Sequence, residues 1–185
     1  IQNTILKAAV FNSERKLGAT FEQSINYHKA FGKKVTLNTE PNKAYYGSGA
    51  QGLVNGISGS DSRYGDKEWL GFWGDDLEIT IDLGEEKAIQ WIKTRFYKAT
   101  GQWMYARSKG EVTFEDGGKY PISGEPNQNK SIKNVRMWKK IKSRFMKIHI
   151  KNYGKIRDDK QEADEKDGTI FEERGNKTER KGKWV

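Results

Sequence analysis

Hydrophobic and polar residues alternate with a period of two along much of this chain, and no segment keeps a helical period over three turns. The clearest runs cover residues 77–83, 92–96 and 146–150, and we expect Gly84 to end the first of them. Such alternation is typical of strands that bury one face. Residues 112–114 lead into an Asp-Gly-Gly turn at 116–118, which predicts a hairpin. Short strands between glycine-rich turns predict an all-β protein, either a sandwich or a barrel.

The beginning of the chain predicts a separate small unit. Residues 4–11 and 19–27 flank a polar stretch at 12–18, which is typical of a hairpin with a polar tip. Two strands cannot cover a core, so this hairpin is too small to fold alone. Only a short break near residues 28–32 separates it from the rest. We therefore expect two units, residues 1–29 and 33–185, with the hairpin packed closely against the second unit.

Composition narrows the class of protein. The chain has 185 residues, no cysteine and 12% aromatic residues. The missing cysteines exclude disulfides, a thiol nucleophile and thiolate zinc sites, and the aromatic content argues against a disordered chain. No apolar run approaches the roughly 18 residues of a membrane span. Because the chain starts at Ile1 without an initiator methionine or a signal peptide, it is interpreted as a piece of a longer protein.

The formal net charge of +9 is unevenly distributed. Lys130–Lys151 carries nine basic residues and no acidic one. A solvated sheet face is the favoured interpretation of this stretch, and binding of acidic glycan groups or nucleic acid are the alternatives. Residues 155–183 carry nine basic and nine acidic residues with little apolar content, which predicts a solvated loop. Trp184 and Val185 are apolar again, as at the start of a strand.

Catalytic chemistry has little support in this sequence. The only histidines are His28 at the junction of the two units and His149 at an outward strand position, and no nucleophile elbow accompanies them. The 25 acidic residues make any chosen carboxylate pair arbitrary. Residues 47–52 match G-x-G-x-x-G, but no strand precedes them and no helical pattern follows. A flexible surface loop is the favoured interpretation there, and an autonomous enzyme is not expected.

Aromatic residues in polar, glycine-rich loops are the more informative feature. A ring exposed on a loop can stack on the apolar face of a sugar, while nearby polar groups bind its hydroxyls. The predicted binding set is Tyr46, Arg63, Tyr64, Trp103 and Tyr105. The alternative is that loop aromatics plug the core; we favour it for Trp69 and Phe72, and for Tyr64 and Tyr105 the two interpretations are equally open.

Several runs together resemble a known family. Residues 33–38, 53–57, 69–72, 77–84 and 144–156 resemble a coagulation factor V/VIII type C (discoidin-like) domain. They are more closely similar to family 32 carbohydrate-binding modules at the C-termini of bacterial glycoside hydrolases. Residues 4–11 and those from Gly18 onward resemble the end of a chitobiase/β-hexosaminidase C-terminal domain. The pairing of the two resembles the tail of a bacterial family 20 β-N-acetylhexosaminidase.

This resemblance implies both a fold and a function. Residues 33–185 would form a discoidin-like jelly-roll β-sandwich with a charged loop at 156–183, preceded by the hairpin remnant at 1–29. The module would be non-catalytic and bind a glycan of the galactose or N-acetylhexosamine type. Its partner would be the catalytic domain of the same polypeptide, exported to the periplasm or cell surface of a bacterium. The alternatives are a purely structural module packed on that domain, or a polyanion-binding surface at Lys130–Lys151; nucleic acid is not expected.

The family resemblance also implies one structural calcium ion, with a departure at its site. Family members carry an Asp-Gly pair in the loop after the first strand, whereas this chain has Asn55-Gly56. Asparagine keeps an oxygen ligand but loses a charge, which weakens a hard-cation site. Ser60 and Asp61 are the nearby candidates for further ligands, and the family's other acidic ligand would come from a strand beyond Val185.

Overall fold

A computed structural model describes residues 3–99, 102, 104, 109–122, 130–152, 155–156, 180–181 and 183–184. It contains eleven strands and two short 3-10 helices, Lys43–Tyr45 and Ala50–Val54. The strands are β1 Thr4–Asn12, β2 Arg15–Ile25, β3 Lys34–Leu37, β4 Phe72–Trp73, β5 Leu77–Tyr97, β6 Lys109–Phe114, β7 Lys119–Ile122, β8 Lys130–Lys151, β9 Lys155–Ile156, β10 Arg180–Lys181 and β11 Lys183–Trp184. The predicted all-β class is confirmed.

The main sheet has five antiparallel strands in the order β3-β5-β8-β6-β7. Its centre is the long pair of β5 and β8, which bury alternate side chains on one face, as their period of two predicts. Those buried residues are Leu77, Ile79, Ile81, Leu83, Met146, Ile148 and Ile150. Each contributes roughly 1.5–3 kcal/mol on burial. Val54, Leu70 and Phe72 belong to the same cluster, so the segment before β5 covers this face as a second layer.

The first alternating run does not end at Gly84. β5 continues through it to Tyr97, and the pairing with β8 shifts register between Asp82 and Lys87. Gly84 has a φ of +81° and donates its amide to the Asp82 carboxylate at 2.8 Å. A residue without a Cβ adopts this conformation without strain. Gly84 therefore forms an irregularity inside β5, at the position where the sequence predicted the end of the strand.

The predicted N-terminal hairpin is present, and β1 and β2 pair from Thr4 opposite Ile25 to Asn12 opposite Arg15. Its expected close packing is wrong, because all nine residues of β1 are exposed. The segment that follows β2 does contact the second unit, because the backbone amide of Asn26 donates to the carbonyl of Gly56 at 2.7 Å.

The last described strand, β11, pairs antiparallel with β4, so the apolar end of the chain does form a strand as predicted. Most of the charged stretch at 156–183 lies outside the described residues. In the described part of the chain, no helix is long and apolar enough to cross a membrane.

Candidate functional site

Edge-to-face aromatic rings connect two loops to the end of β5. The Tyr45 ring lies 6.3 Å from that of Tyr64, Tyr64 lies 6.1 Å from Tyr97, and Tyr97 lies 5.3 Å from Trp69. We call these four residues the aromatic ladder. Trp69 and Tyr97 are buried, whereas Tyr45 and Tyr64 are partly buried. Each such ring pair is worth about 0.5–1.5 kcal/mol beyond its buried area, so the ladder gives the loops a fixed base.

Trp69 is the central anchor of the loop at 59–69. Its indole Nε1 donates to the carbonyl of Ser60 at 2.9 Å, and the Arg95 guanidinium lies 5.0 Å from the centre of its ring. The expectation that Trp69 and Phe72 are core residues is confirmed, since they are 5% and 6% exposed. Burial, with a smaller electrostatic contribution from Tyr64, raises the pKa of Tyr45 above its ordinary value.

The glycine-rich motif at 47–52 is a packed turn, so the expectation of a flexible surface loop is wrong. Gly49 and Gly52 are buried, and Gly47 has a φ of +57°. A Cβ at Gly47 would lie 2.7 Å from the carbonyl oxygen of Trp69. Glycine is therefore needed there for close approach of two loops, and the dinucleotide-site geometry of a strand followed by a helix is not present at this motif.

Tyr46 is the predicted site residue that is best placed for stacking. It is 49% exposed, and its hydroxyl lies 3.6 Å from the position that a Cβ on Gly49 would take. It directly follows the 3-10 helix Lys43–Tyr45, which begins with an Asn42 side chain accepting from the amide of Ala44. The hydroxyl end of the ring thus lies beside the Gly49 backbone, and much of its surface is open to solvent.

The other predicted sugar-binding residues divide into three groups. Arg63 is exposed, and its backbone amide donates to the Ser60 hydroxyl at 3.2 Å. Tyr64 is half-buried in the ladder, which favours a role in supporting the loops. Trp103 and Tyr105 lie outside the described residues. The structure therefore brings Tyr46 and Tyr64 into adjacent loops, through the contact of Tyr45 with Tyr64.

Sequence reasoning missed three residues that build this site: Tyr45, Arg95 and Tyr97. Arg95 donates through Nη1 to the carbonyl of Gly59 at 2.9 Å and through Nη2 to Asp61 at 2.5 Å. A signal was available, because Arg95 and Tyr97 share one face of an alternating run whose other face carries Ile92 and Phe96. A charged residue and an aromatic residue on the same face at the end of a strand indicate that a loop, and not the main hydrophobic core, covers that face.

The described contacts of the predicted calcium ligands do not fit a cation. Asn55 Oδ1 accepts from the amide of Ile57 at 2.9 Å, and Asn55 Nδ2 donates to Glu68 at 2.8 Å. The Ser60 hydroxyl accepts from the amides of Ser62 and Arg63, and Asp61 pairs with Arg95. Among the residues that the structure describes, no group of three or more His, Asp or Glu side chains could hold a metal ion. The calcium ion stays a prediction.

The outer face of the main sheet carries a shallow groove of about 440 Å³, away from the aromatic ladder. Its lining residues are Gly110, Glu111, Lys119, Pro121, His149 and Lys151. The charges there are interleaved: Lys119 lies 2.9 Å from Glu111, and Lys147 on the same face lies 3.3 Å from Glu78. These ion pairs favour a solvated face over a polyanion-binding site. Because charged side chains line the groove and pair with one another, it is a weaker candidate for a sugar site than the aromatic loops.

The fold and the site define an all-β protein with an aromatic loop cluster at one end of its central strand. Solved structures similar to this chain include a lectin domain and modules that bind carbohydrate. The lectin domain of lectinolysin, in complex with Lewis B antigen, has 17% identity and a TM-score of 0.47, and the match covers 66% of this chain and 84% of that chain. A fucose-binding module of Streptococcus pneumoniae has 13% identity and a TM-score of 0.46, covering 67% and 84%. A chitosan-binding module of a chitosanase/glucanase from Paenibacillus sp. IK-5 has 11% identity and a TM-score of 0.42, covering 68% and 87%.

No protein-family model matches the chain. No curated protein matches its sequence either.

Proposed function

We propose that this chain is a non-catalytic carbohydrate-binding module that holds a glycan of the galactose or N-acetylhexosamine type against Tyr46. The observation that carries the proposal is the exposed Tyr46 ring on a loop that buried aromatic residues keep in place. A preorganised ring binds a sugar face without paying for loop ordering. Arg63 on the neighbouring loop supplies a hydrogen-bond donor for hydroxyl groups. The sequence resemblance to family 32 modules supports the same assignment.

The proposal extends to the protein that contains this module. Following the same resemblance, the parent is an exported bacterial glycoside hydrolase of the β-N-acetylhexosaminidase type, located in the periplasm or at the cell surface. The module would keep the catalytic domain of that polypeptide near its substrate. A single shallow site of this kind binds with a dissociation constant of about 0.1–1 mM, because it buries little surface.

A glycan array followed by calorimetric titration tests the binding function. We expect the wild-type chain to bind at least one galactose- or N-acetylhexosamine-terminated glycan, and Tyr46→Ala to weaken that binding at least tenfold. Tyr27→Ala is the matched control, because Tyr27 is 42% exposed but lies at the hairpin junction. Binding that Tyr46→Ala leaves unchanged would move the site elsewhere, and no binding to any glycan would contradict the function.

The alternative of a structural module is favoured by one observation. The hairpin exposes large apolar side chains, including Val10 at 66% and Phe21 at 58%. Exposed apolar patches of this kind mark surfaces that contact other proteins. If the array gives no binding and these side chains become protected in the full-length protein, the architectural role replaces the binding role.

A further inference from the structure

The β1–β2 hairpin has an apolar face and a charged face. Residues directly opposite in an antiparallel pair share one face of the sheet, and successive residues alternate between the two faces. The register pairs Thr4 with Ile25, Leu6 with Gln23, Ala8 with Phe21 and Val10 with Leu17, so these eight side chains lie on one face. We call them the apolar hairpin face, because six of the eight are apolar and none is charged.

The opposite face carries charged side chains along both strands. Lys7 forms an ion pair there with Glu22, with 2.7 Å between the ammonium and carboxylate groups. The Lys16 ammonium donates to the Thr20 hydroxyl across the register irregularity, so the alternation along β2 is kept through it. Arg15, beside the turn, lies on the apolar side and gives it a charged rim. The two faces of the hairpin therefore differ in chemistry.

The apolar hairpin face is open to solvent. The exposed fraction is 52% for Leu6, 66% for Val10, 46% for Leu17 and 58% for Phe21. No side chain in the described part of the chain covers these four residues. A two-stranded sheet is at best marginally stable in water, and it becomes stable when a further layer packs on its apolar face. The hairpin is therefore incomplete without a surface that covers this face.

The base of the hairpin is fixed to the second unit. The backbone amide and the side-chain amide of Asn26 both donate to the carbonyl of Gly56, at 2.7 and 3.3 Å. The backbone amide of Tyr27 donates to the Asn3 side chain at 2.9 Å, and the Tyr27 and Phe31 rings lie 5.6 Å apart. The hairpin therefore presents its apolar face in a defined direction, so little ordering is needed when a partner binds.

We infer that the apolar hairpin face binds the same face of a second copy of this chain. A two-fold interface requires a surface that is complementary to itself, and a flat apolar face without charge meets this requirement. Two copies packed in this way form four strands in two layers about 10 Å apart. The Lys7–Glu22 faces then stay in water on the outside, and Arg15 lies at the rim. The inference does not depend on glycan binding.

The area of the face agrees with a weak dimer. Four apolar side chains that each expose about half of their surface, together with the backbone beside them, offer roughly 500 Å² per copy. A dimer would then bury about 1,000 Å² in total, which is near the lower limit for a specific interface. We expect a dissociation constant of about 1–50 μM, so that the chain is monomeric at lower concentrations.

Sedimentation velocity of the full chain, over concentrations from about 1 to 300 μM, tests the inference. We expect the wild-type chain to pass from monomer to dimer in this range. Phe21→Ser should raise the dissociation constant at least tenfold, because an aromatic side chain is lost from the interface. Phe11→Ser is the matched control: Phe11 is 60% exposed but lies opposite Lys16 on the charged face. It should change the constant by less than about twofold.

Chemical cross-linking locates the interface without removing any apolar side chain. The chain contains no cysteine, so a single introduced thiol reports one position. Ala8 and Ala9 are adjacent and exposed, and alternation along β1 places them on opposite faces. A thiol-specific cross-linker of about 10 Å, the distance between packed sheets, should join two copies of Ala8→Cys. It should leave Ala9→Cys largely unlinked.

Three results would overturn the inference. A wild-type chain that stays monomeric up to about 300 μM would do so, and the face would then be left to a different protein. A dimer that Phe21→Ser and Phe11→Ser weaken equally, or that neither weakens, would lie elsewhere on the molecule. Equal cross-linking of Ala8→Cys and Ala9→Cys would show that the hairpin faces are not distinguished. None of these results bears on sugar binding at Tyr46.

Discussion

Single residues decide how close the loops of this protein can approach one another. Gly59 is the sharpest case, because a Cβ at this position would lie 2.6 Å from ring atoms of Trp69. Trp69 is in turn fixed by its hydrogen bond to Ser60 and by its packing on Tyr97. The indole ring cannot move without breaking the aromatic ladder, so the backbone at 59 has to remain without a side chain.

Replacing Gly59 by alanine should therefore destabilise the protein. Overpacking of this kind costs about 1–3 kcal/mol, and we expect the free energy of unfolding from urea denaturation to fall by that amount. Gly65→Ala in the same loop is the matched control, since nothing lies within 4 Å of a Cβ there and the effect should stay within about 0.5 kcal/mol. Equal effects of the two substitutions would show that Trp69 does not restrict this loop.

Residue-scale prediction from sequence succeeded where hydrophobicity alone decides the environment. Trp69 and Phe72 could be assigned to the interior because large apolar side chains between short strands favour burial. The role of Tyr64 could not be settled, because a tyrosine fits both a buried ladder and a sugar platform. The guanidinium of Arg95 over Trp69 depends on a contact across 26 positions of sequence, which no local pattern reports.

At the scale of elements, polar clamps hold the irregular part of the β5–β8 pair. Arg144 donates from Nε and Nη2 to the two carboxylate oxygens of Asp82, each at 2.8 Å. This pairing, together with the Gly84 amide, lowers the pKa of Asp82 to about 2. Glu115 accepts from the backbone amides of Phe145 and Arg144 and from the Ser143 hydroxyl, and these bonds lower its pKa below the ordinary value.

The depressed pKa of Asp82 makes a prediction about acid stability. A carboxyl whose pKa is lower in the folded state stabilises the fold above its unfolded value near 3.8, and this contribution is lost as the pH falls towards 2. Asp82→Asn should therefore lower the urea midpoint of unfolding at pH 7. The difference in midpoint between the variant and the wild type should become smaller between pH 4 and pH 2. Glu86→Gln is the control, because Glu86 is 64% exposed and lies 3.9 Å from Lys142. A difference in urea midpoint between the wild type and Asp82→Asn that stays constant from pH 4 to pH 2 would show that the ionised Asp82 carboxylate does not stabilise the fold.

The central sheet and the projecting hairpin should respond differently to the same substitution. Val112 on β6 is fully buried, whereas Val10 on β1 is 66% exposed. Val112→Ala should lower the free energy of unfolding by about 2 kcal/mol through lost burial and a residual cavity. Val10→Ala should change it by less than about 0.5 kcal/mol. Comparable losses in thermal or urea unfolding would mean that the hairpin packs on the sheet in solution.

Strand existence could be predicted from sequence better than strand boundaries. The alternating runs located β5, β8 and the β6–β7 hairpin, because period-2 burial on a sheet is a local property. They also suggested two strands where β5 is one, since a glycine within a run predicts a stop and an internal irregularity equally well. The register of β5 against β8 joins residues that are between 33 positions (Tyr97 and Lys130) and 73 positions (Leu77 and Ile150) apart, so tertiary packing decides it.

For the whole molecule, the fold decides which of the charged side chains pair with one another. The excess of basic residues in Lys130–Lys151 suggested a stripe, yet on the described outer face these cations meet acids of the neighbouring strands, such as Glu78, which lies 3.3 Å from Lys147. Interleaving of this kind arises only when strands distant in sequence are paired.

The position of a bound glycan tests directly whether the Tyr46 loop is the binding site. Amide chemical-shift perturbation in the isotope-labelled chain, recorded as the bound glycan from the array is titrated, locates the contact residue by residue. We expect the largest shifts at the amides of Ser48, Gly49 and Lys67, and no shift at Gly110, Glu111 and Lys151 of the outer groove. Shifts concentrated at the outer groove, or an absence of shifts near Tyr46 under saturating glycan, would contradict it.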